Sequence, residues 1–305
     1  MGKHFENLIA QVKKYPMKKL SVAAAADSNV LSAVKEAKER GIADAVLFGD
    51  EAKIKEVAAE LGMDVSQFEI RNYTDPIEAA HEAVKLVHDG GAEMYMKGLL
   101  STKDFLKSIL DKEVGLRTEK KLSHVCVFEI KGIDRLLFLT DVAFLPYPTL
   151  EDKVDIIANT VEVANACGID MPKVAPLAAV EVVNPKMPAT VEAAELVKMN
   201  EEGKIKGCIV DGPLSVDMAL SHEACVHKNA LDRKITGDAD IFLFPDIHAG
   251  NIAYKFIVHT TEFLNGCILT GTSAPAILTS RSDSTETKLN SIALASVVAE
   301  HLKNK

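Results

Sequence analysis

The sequence predicts an α/β protein of two lobes, each built on a parallel-rich sheet, with a polar cleft between the lobes. Strand-like and helix-like segments alternate along nearly the whole chain, a pattern typical of parallel strands joined by right-handed crossovers. The length of 305 residues suggests two domains or one large one. Alanine and valine are abundant and tryptophan is absent, which favours helices packed tightly on parallel strands.

The first lobe is predicted to comprise residues 1–142 together with 272–305, so that it holds both ends of the sequence. Apolar runs bounded by turn residues predict its strands, and segments of helical periodicity predict its helices. The predicted strands are 20–26, 43–49, 68–73, 94–97 and 276–279, with an antiparallel hairpin of 124–130 and 135–140. The predicted helices are 29–40, 51–61, 75–88, 102–110 and 286–301.

The second lobe is predicted to span residues 143–271, after the proline-rich segment DVAFLPYP. The same alternation of apolar runs and periodic segments continues through it. Its predicted strands are 174–180, 208–210, 241–244 and 267–270, and its predicted helices are 151–166, 188–199, 216–224 and 251–264.

Composition excludes several classes of function. The formal net charge of −9 argues against general binding of nucleic acid or anionic membranes. The five widely spaced cysteines form no C-x-x-C pair, which argues against a disulfide framework or a structural zinc site. The N-terminal segment lacks the apolar core of a signal peptide, and no apolar run is long enough to cross a membrane. We therefore expect a cytoplasmic protein.

Polar residues that follow the predicted strands mark the candidate site, because ligands of α/β sheets bind beyond the carboxyl ends of the strands. In MKGLLSTKDFL, Lys97 ends a strand, and Ser101 and Thr102 precede a helix whose N-terminus can hold an anion. The alternative is an ordinary N-cap with Lys97 in a surface ion pair.

The segment AILTSRSDSTETK combines an arginine with hydroxyls just before a helix. Arg281 offers a planar fork of donors for phosphate, and Ser280 precedes it. In the alternative interpretation, Ser280 and Thr285 are N-cap or turn residues and Arg281 forms a surface ion pair. Local pattern alone leaves the two interpretations open.

A third candidate segment is DIHAGNIAYK, where Asn251 and Lys255 lie four residues apart and share one helix face. The alternative is an asparagine at a helix start and a solvated lysine. The scattered histidines show no paired metal-ligand spacing, so no metal is expected. A Walker A motif, a G-x-G-x-x-G loop and a G-x-S-x-G elbow are all absent from the sequence.

Several longer motifs resemble those of the phosphate butyryltransferases, which are acyltransferases related to the phosphate acetyltransferases. The resemblance covers roughly residues 94 to 300, in order. The motifs are MKGLLSTKDFL, LSHVCVFEI, PKMPATVEAAELVKM, VDGPLSVDMALS, GDADIFLFPDIHAGNIAYK and LTSRSDS…K.

The resemblance implies a fold similar to that of the isocitrate and isopropylmalate dehydrogenases, and a homodimer or larger homo-oligomer. It implies reversible transfer of a short acyl group, with butyryl favoured, between coenzyme A and inorganic phosphate. Acyl-CoA and phosphate are then the small-molecule partners, coenzyme A acts as a substrate, and no metal or redox cofactor takes part. Preferred chain length, oligomer size and metabolic direction stay open.

The resemblance also implies roles for individual residues. Arg281 would hold the phosphoryl group, and Ser280 would donate to the developing oxyanion. Further phosphate and coenzyme A contacts would come from Lys97, Ser101, Thr102, Asn251 and Lys255.

The general base is open at this point. The acetyl-transferring branch places an aspartate at the position that here is Thr287, which cannot act as that base. Asp283 and Glu286 are the candidates, with Asp283 preferred. Alternative functions are a phosphate acetyltransferase, a metal-dependent NAD(P) oxidoreductase of the same fold, or a coenzyme A-binding protein without catalytic activity.

Overall fold

The computed structural model describes residues 3–280 and 283–304 of the chain. It divides into two compact units, Lys121–Phe263 and a second unit of Lys3–Lys120 with Leu264–Lys305. We call the first the middle unit and the second the terminal unit. Both are α/β units, which confirms the predicted fold class.

The terminal unit is built on strands that follow one another across a sheet in the order β3-β2-β1-β4-β11-β10. All of these neighbours are parallel except β10 and β11, which are antiparallel. The strands are β1 (Lys18–Ala23), β2 (Ala43–Gly49), β3 (Glu69–Asn72), β4 (Met94–Lys97), β10 (Phe263–Thr270) and β11 (Ala276–Ile277). The helices are α1 (His4–Val12), α2 (Ser28–Glu39), α3 (Glu51–Glu60), α4 (Pro76–His88), α5 (Thr102–Ile109) and α11 (Thr285–Lys303).

Short polar side chains begin the helices of the terminal unit just after its strands end. Asp27, Asp50 and Asp75 cap α2, α3 and α4, because each carboxylate accepts hydrogen bonds from free N–H groups of the first turn. The helix N-termini therefore lie at the carboxyl edge of the parallel strands, which is the edge where α/β proteins bind ligands.

Helix α11 is the most deeply buried helix of the terminal unit, and every residue from 287 to 299 is buried. Ser291 accepts a hydrogen bond from the backbone N–H of Cys267 on β10 at 2.9 Å. A Cβ atom at Gly266 would lie 2.9 Å from the carbonyl oxygen of Asn290, so this glycine permits the helix to pack closely on the strand.

The middle unit has the strand order β5-β6-β9-β7-β8, in which only the first pair is antiparallel. That pair confirms the predicted hairpin. The strands are β5 (Ser123–Ile130), β6 (Leu137–Thr140), β7 (Lys173–Pro176), β8 (Ile209–Val210) and β9 (Ile241–Leu243). The helices are α6 (Leu150–Ala166), α7 (Pro188–Glu201), α8 (Val216–Leu220), α9 (His222–His227) and α10 (Ile247–Thr260).

Two predicted helices of the middle unit are corrected by the structure. The helix predicted over 216–224 is two helices, because Ser221 adopts an extended conformation and its side chain caps α9. The helix predicted over 251–264 begins at Ile247 after the N-cap Asp246, and ends at Thr260. Residues 263–264 of that prediction belong to β10.

The predicted domain boundaries, 1–142 with 272–305 and 143–271, stay a prediction. In the structure β6 pairs in parallel with β9, and this pairing groups the hairpin with the later strands of the middle unit. Within the part of the chain that the structure describes, no helix is long and apolar enough to cross a membrane.

Candidate active site

The carboxyl edge of the terminal unit brings two of the predicted segments to neighbouring strand ends. Lys97 ends β4, where it lies beside Ala23 of β1. Met96 lies beside Ile277, the last residue of β11, so the loop that begins at Leu278 emerges next to Lys97. The sheet thus places Lys97 and the segment containing Ser280 at adjacent positions of one edge.

Lys97 is almost fully buried although it ends a strand at the edge of the sheet. Its ammonium lies 3.4 Å from the carbonyl oxygen of Gly98. A surface ion pair, the alternative considered for this residue, does not fit a buried side chain. A buried ammonium at a strand end is well placed to attract an anion, because the low dielectric strengthens the attraction.

Ser101 and Thr102 follow Lys97 at the start of α5. The Ser101 hydroxyl accepts a hydrogen bond from the backbone N–H of Asp104 at 3.0 Å and donates to its carboxylate at 2.6 Å. Ser101 is therefore the N-cap of α5, and Thr102 is the first, exposed residue of the helix. Both lie at the edge, but the described contacts of Ser101 are those of a cap.

The loop before α11 contains Ser280 and Asp283, two of the predicted catalytic residues. A third, Arg281, lies outside the described residues. The backbone N–H of Ser280 donates to the Asp283 carboxylate at 2.7 Å, and the N–H of Asp283 donates to the Ser280 carbonyl at 3.2 Å. These two bonds join Ser280 to Asp283, and we call this hydrogen-bonded pair the Ser280 turn. Ser280 is exposed and Asp283 is half-buried.

The N-cap of α11 is Ser284, which accepts from the backbone N–H of Thr287 at 3.1 Å. Neither Ser280 nor Thr285 is therefore the N-cap, since Thr285 is the first residue inside the helix. The two bonds between Ser280 and Asp283 do agree with the alternative that Ser280 is a turn residue. Glu286 is exposed in the first turn, where its negative charge interacts favourably with the positive end of the helix dipole.

Lys288 ends the motif LTSRSDS…K, but sequence analysis assigned no role to it. Its side chain is only 2% exposed, and its ammonium donates to the carbonyls of Ser280 at 3.2 Å and Asp283 at 2.7 Å. Lys288 thus holds Ser280 and Asp283 through their backbone carbonyls. Burial lowers the pKa of Lys288, against the opposing effect of the Asp283 and Asp27 carboxylates.

Thr287 occupies the position where the acetyl-transferring branch is expected to have an aspartate. It is buried, and its hydroxyl donates to the Asn265 side chain at 2.9 Å. This hydrogen bond agrees with the expectation that residue 287 is not the base here.

In the middle unit, Asn251 and Lys255 lie one turn apart on α10, as predicted. The amide of Asn251 donates to the carbonyl of Val142 at 3.0 Å, in the loop after β6. A Cβ atom at Gly250 would lie 2.3 Å from the carbonyl oxygen of Asp141, so helix and loop pack in close contact. Asn251 therefore holds the helix on this loop, and its predicted position at a helix start is wrong.

Lys255 is exposed, with its ammonium 5.6 Å from the ring centroid of Tyr254. It is available to an anionic ligand from solvent.

Three carboxylates of the middle unit, those of Asp211, Asp217 and Glu181, are paired with basic side chains. Arg233 donates to both oxygens of Asp211, at 2.8 and 3.2 Å. Lys228 pairs with Glu181 and Asp217. Among the described residues, no group of three or more histidine, cysteine or acidic side chains is arranged to hold a metal ion.

Comparison with known proteins shows the class of this chain. It belongs to the phosphate acetyl/butaryl transferase family, whose model matches residues 4–78 and 73–296. The chain is 57% identical over 299 residues to the phosphate butyryltransferase of Clostridium acetobutylicum, an alignment that covers 98% of this chain and 99% of that protein. The resemblance recognised in the sequence motifs is confirmed.

Solved structures agree with this membership. A branched-chain phosphotransacylase from Enterococcus faecalis V583 matches with a TM-score of 0.83 and 34% identity, over 93% of this chain and 100% of that one. A 4-hydroxythreonine-4-phosphate dehydrogenase from Klebsiella pneumoniae matches with a TM-score of 0.54 at 12% identity, over 93% and 100% of the two chains. That second likeness concerns the fold alone, and it confirms the expected similarity to dehydrogenases.

Proposed function

We propose that this chain transfers a short acyl group, preferably butyryl, between coenzyme A and inorganic phosphate, giving acyl phosphate and free coenzyme A. Its similarity to the Clostridium acetobutylicum phosphate butyryltransferase over almost the full length of both chains supports the reaction. The geometric observation that carries it is the Ser280 turn, fastened by Lys288 beside the buried Lys97. A cationic edge of this kind suits phosphate.

The chemistry is an exchange of acyl groups between sulfur and oxygen. A phosphate oxygen attacks the thioester carbonyl carbon, a C–O bond forms, the C–S bond breaks, and the thiolate leaves with the electron pair. We propose that Arg281 holds the phosphoryl group and that Ser280 donates to the carbonyl oxygen as it gains charge. Holding both substrates at one edge lowers the entropic barrier.

In the reverse direction the coenzyme A thiol attacks acyl phosphate and must lose its proton. We propose Asp283 as the base, because it lies at the end of the turn that begins with Ser280. No atom changes oxidation state in either direction, so the proposal includes no electron carrier. It also includes no metal, because the charged side chains supply the electrostatic stabilisation.

The proposal extends to assembly and location. On α10 only Gly250 is buried, while Ile252 and Phe256 are mostly exposed to solvent. Exposed apolar residues on one helix are typical of protein–protein contacts, and we propose that they pack in a homodimer or larger homo-oligomer. We also propose a cytoplasmic location, where acyl-CoA and phosphate are present together.

Release of free thiol from acyl-CoA on addition of phosphate tests the reaction. We expect phosphate-dependent release with acetyl-, propionyl-, butyryl- and isobutyryl-CoA, with the highest kcat/KM for butyryl-CoA and no loss in EDTA. Each methylene that fits the acyl pocket is expected to contribute about 1–3 kcal/mol to discrimination. Acetyl-CoA as the best substrate would favour the phosphate acetyltransferase alternative, and a requirement for NAD(P) with a metal would contradict the proposal.

Replacing Lys288 with methionine is expected to lower activity while leaving the stability of the fold nearly unchanged. Losing the ammonium frees the two carbonyls that fix the turn, and we expect kcat/KM for phosphate to fall about tenfold. The fold should lose little stability, because burial already disfavours the charged form of Lys288 and methionine has a similar volume. Activity and the midpoint of urea unfolding are to be measured on the same preparations.

Lys18 provides the matched control, because it is a buried lysine of the same unit that pairs with Glu300. Lys18→Met removes the cation that pairs with that carboxylate, so stability should fall while kcat/KM for phosphate stays near the unsubstituted value. If Lys288→Met and Lys18→Met changed activity alike, Lys288 would have no special relation to the phosphate step.

A further inference from the structure

A small cavity of about 100 Å³ opens at the carboxyl edge of the terminal unit, away from the Ser280 turn. We call it the edge slot. Its apolar lining includes Ala24, Ala26, Tyr73 and Leu99, and its charged lining residues are Asp50 and Lys53. This volume is below the roughly 300–1,000 Å³ found for pockets that enclose a small molecule, so the slot can receive only one end of a larger ligand.

The backbone around Gly98 builds one wall of the edge slot. Gly98 and Leu99 donate to the carbonyls of Ala23 and Ala24 at 2.8 and 2.7 Å, which holds the loop after β4 on the end of β1. As a result the Leu99 side chain is 50% exposed, although it belongs to a loop fixed to the sheet. Covering this side chain with an apolar ligand is favourable, because apolar surface is removed from water.

A flat aromatic side chain lines the same cavity. The N–H of Tyr73 donates to the carbonyl of Gly49 at 2.9 Å, and the Tyr73 ring stacks on Phe48 with centroids 6.1 Å apart. The ring is therefore fixed next to the end of β2. A ligand with a planar, apolar ring can therefore stack on Tyr73 in this cavity.

The charged residues of the edge slot come from the start of α3, directly after β2. Asp50 accepts from the backbone N–H groups of Ala52 and Lys53 at 3.1 and 3.3 Å. The ammonium of Lys53 lies 3.1 Å from the second carboxylate oxygen and is largely exposed. A carboxylate at the end of the second strand accepts ribose hydroxyls in nucleotide-binding sheets with this strand order.

We propose that the edge slot binds the adenosine end of coenzyme A, with the base against Tyr73 and Leu99, a ribose hydroxyl donating to Asp50, and Lys53 facing the attached phosphate. This inference rests on the acyl-transfer function proposed above. It assigns the recognition of the nucleotide to residues that follow β1, β2, β3 and β4, and leaves the chemistry to the turn after β11.

The distance between β2, at the edge slot, and β11, at the reacting centre, favours the nucleotide over the acyl chain as the occupant of the slot. From β2 to β11 there are three strand spacings in the order β2-β1-β4-β11. At about 4.8 Å for each spacing the separation is roughly 14 Å. The pantetheine arm, which joins adenosine to the thiol, can span such a distance, whereas a four-carbon acyl chain attached at the reacting sulfur cannot.

The test compares a complete thioester with one that lacks the nucleotide. Initial rates are measured with butyryl-CoA and with S-butyryl-N-acetylcysteamine, for the unsubstituted enzyme, Ala26→Phe and Leu99→Ala. Leu110→Ala is the matched control, because Leu110 is 41% exposed in the same unit and does not line the edge slot. Thermal unfolding verifies that each variant is folded.

We expect Ala26→Phe to fill the slot and raise KM for butyryl-CoA about tenfold, with kcat unchanged. Leu99→Ala should raise KM for butyryl-CoA by a smaller factor, and Leu110→Ala should leave this KM unchanged. The truncated thioester should show the same KM with all four proteins. Adenosine 3′,5′-bisphosphate should inhibit the unsubstituted enzyme competitively against butyryl-CoA, and inhibit Ala26→Phe more weakly.

Equal changes for both thioesters, or no change for either, would overturn the assignment. A changed ratio of butyryl- to acetyl-CoA activity in Leu99→Ala would assign the slot to the acyl chain instead. Failure of the proposed function gives a different result, namely no phosphate-dependent thiol release from any thioester by the unsubstituted chain. In that case calorimetric binding of adenosine 3′,5′-bisphosphate, lost in Ala26→Phe, would still support a nucleotide site.

Discussion

Asp283→Asn is expected to lower kcat for the reaction of butyryl phosphate with coenzyme A about 100-fold, because the thiol loses its general base. Asparagine keeps a side-chain oxygen that can accept the hydrogen bond from the Ser280 N–H, so the turn itself should remain. The measurement is the initial rate of butyryl-CoA formation from pH 6 to pH 9. The difference in kcat between the variant and the unsubstituted enzyme should become smaller towards high pH. A free thiol has a pKa of about 8.5, so it increasingly ionises there without a general base.

Glu286→Gln is the control for this experiment, since Glu286 is an exposed carboxylate in the first turn of α11. We expect its rates to stay close to those of the unsubstituted enzyme at every pH. Full activity of Asp283→Asn, with a large loss in Glu286→Gln, would transfer the role of base to Glu286. A deficit that does not vary with pH would indicate that Asp283 acts only by shaping the turn.

Gly98→Ala is expected to destabilise the terminal unit by about 3 kcal/mol and to lower activity at the same time. The added Cβ atom would lie 2.3 Å from the carbonyl oxygen of Ala24 and 2.6 Å from that of Ala23. Both atoms belong to the backbone at the end of β1, so relief requires the loop after β4 to separate from β1. The free energy of unfolding in urea and KM for butyryl-CoA are the quantities to measure.

Gly91→Ala is a matched control, because a Cβ atom there would also meet its nearest neighbour at 2.3 Å. That neighbour is the terminal methyl carbon of Leu86, a side chain that can move aside. We therefore expect a clearly smaller loss of stability and no change of KM. Equal losses in the two variants would mean that the contact between β1 and the loop after β4 has no special role.

The alternation of strands and helices was predictable because it depends on local patterns. Strands β2 and β4 begin and end where their apolar runs predict, and the helix predicted over 75–88 is α4, with Asp75 as its N-cap. The start of α10 was missed because its first turn, IHAG, carries little helical periodicity, and the capping bond of Asp246 is visible only in the structure. The break between α8 and α9 was also missed, because the hydrogen bond by which Ser221 caps α9 is visible only in the structure.

The candidate site was predictable only in part. Lys97 and the Ser280 segment were found because they follow apolar strands, and the parallel register then brings those strand ends together. Lys288 has the sequence signature of an ordinary helical lysine, and only the packing of α11 shows that it is buried against the turn. The edge slot had no signature at all, because its lining comes from loops after four different strands.

The position of α11 in the chain has a consequence for biosynthesis. The sheet of the terminal unit needs β11 beside β4, and its core needs α11, yet both are synthesised after the whole middle unit. A ribosome adding about 5–20 residues per second therefore takes several seconds or more between β4 and β11. Through that interval the nascent strand β4 has an unpaired edge, and we expect chaperones to protect it until translation reaches the final helix.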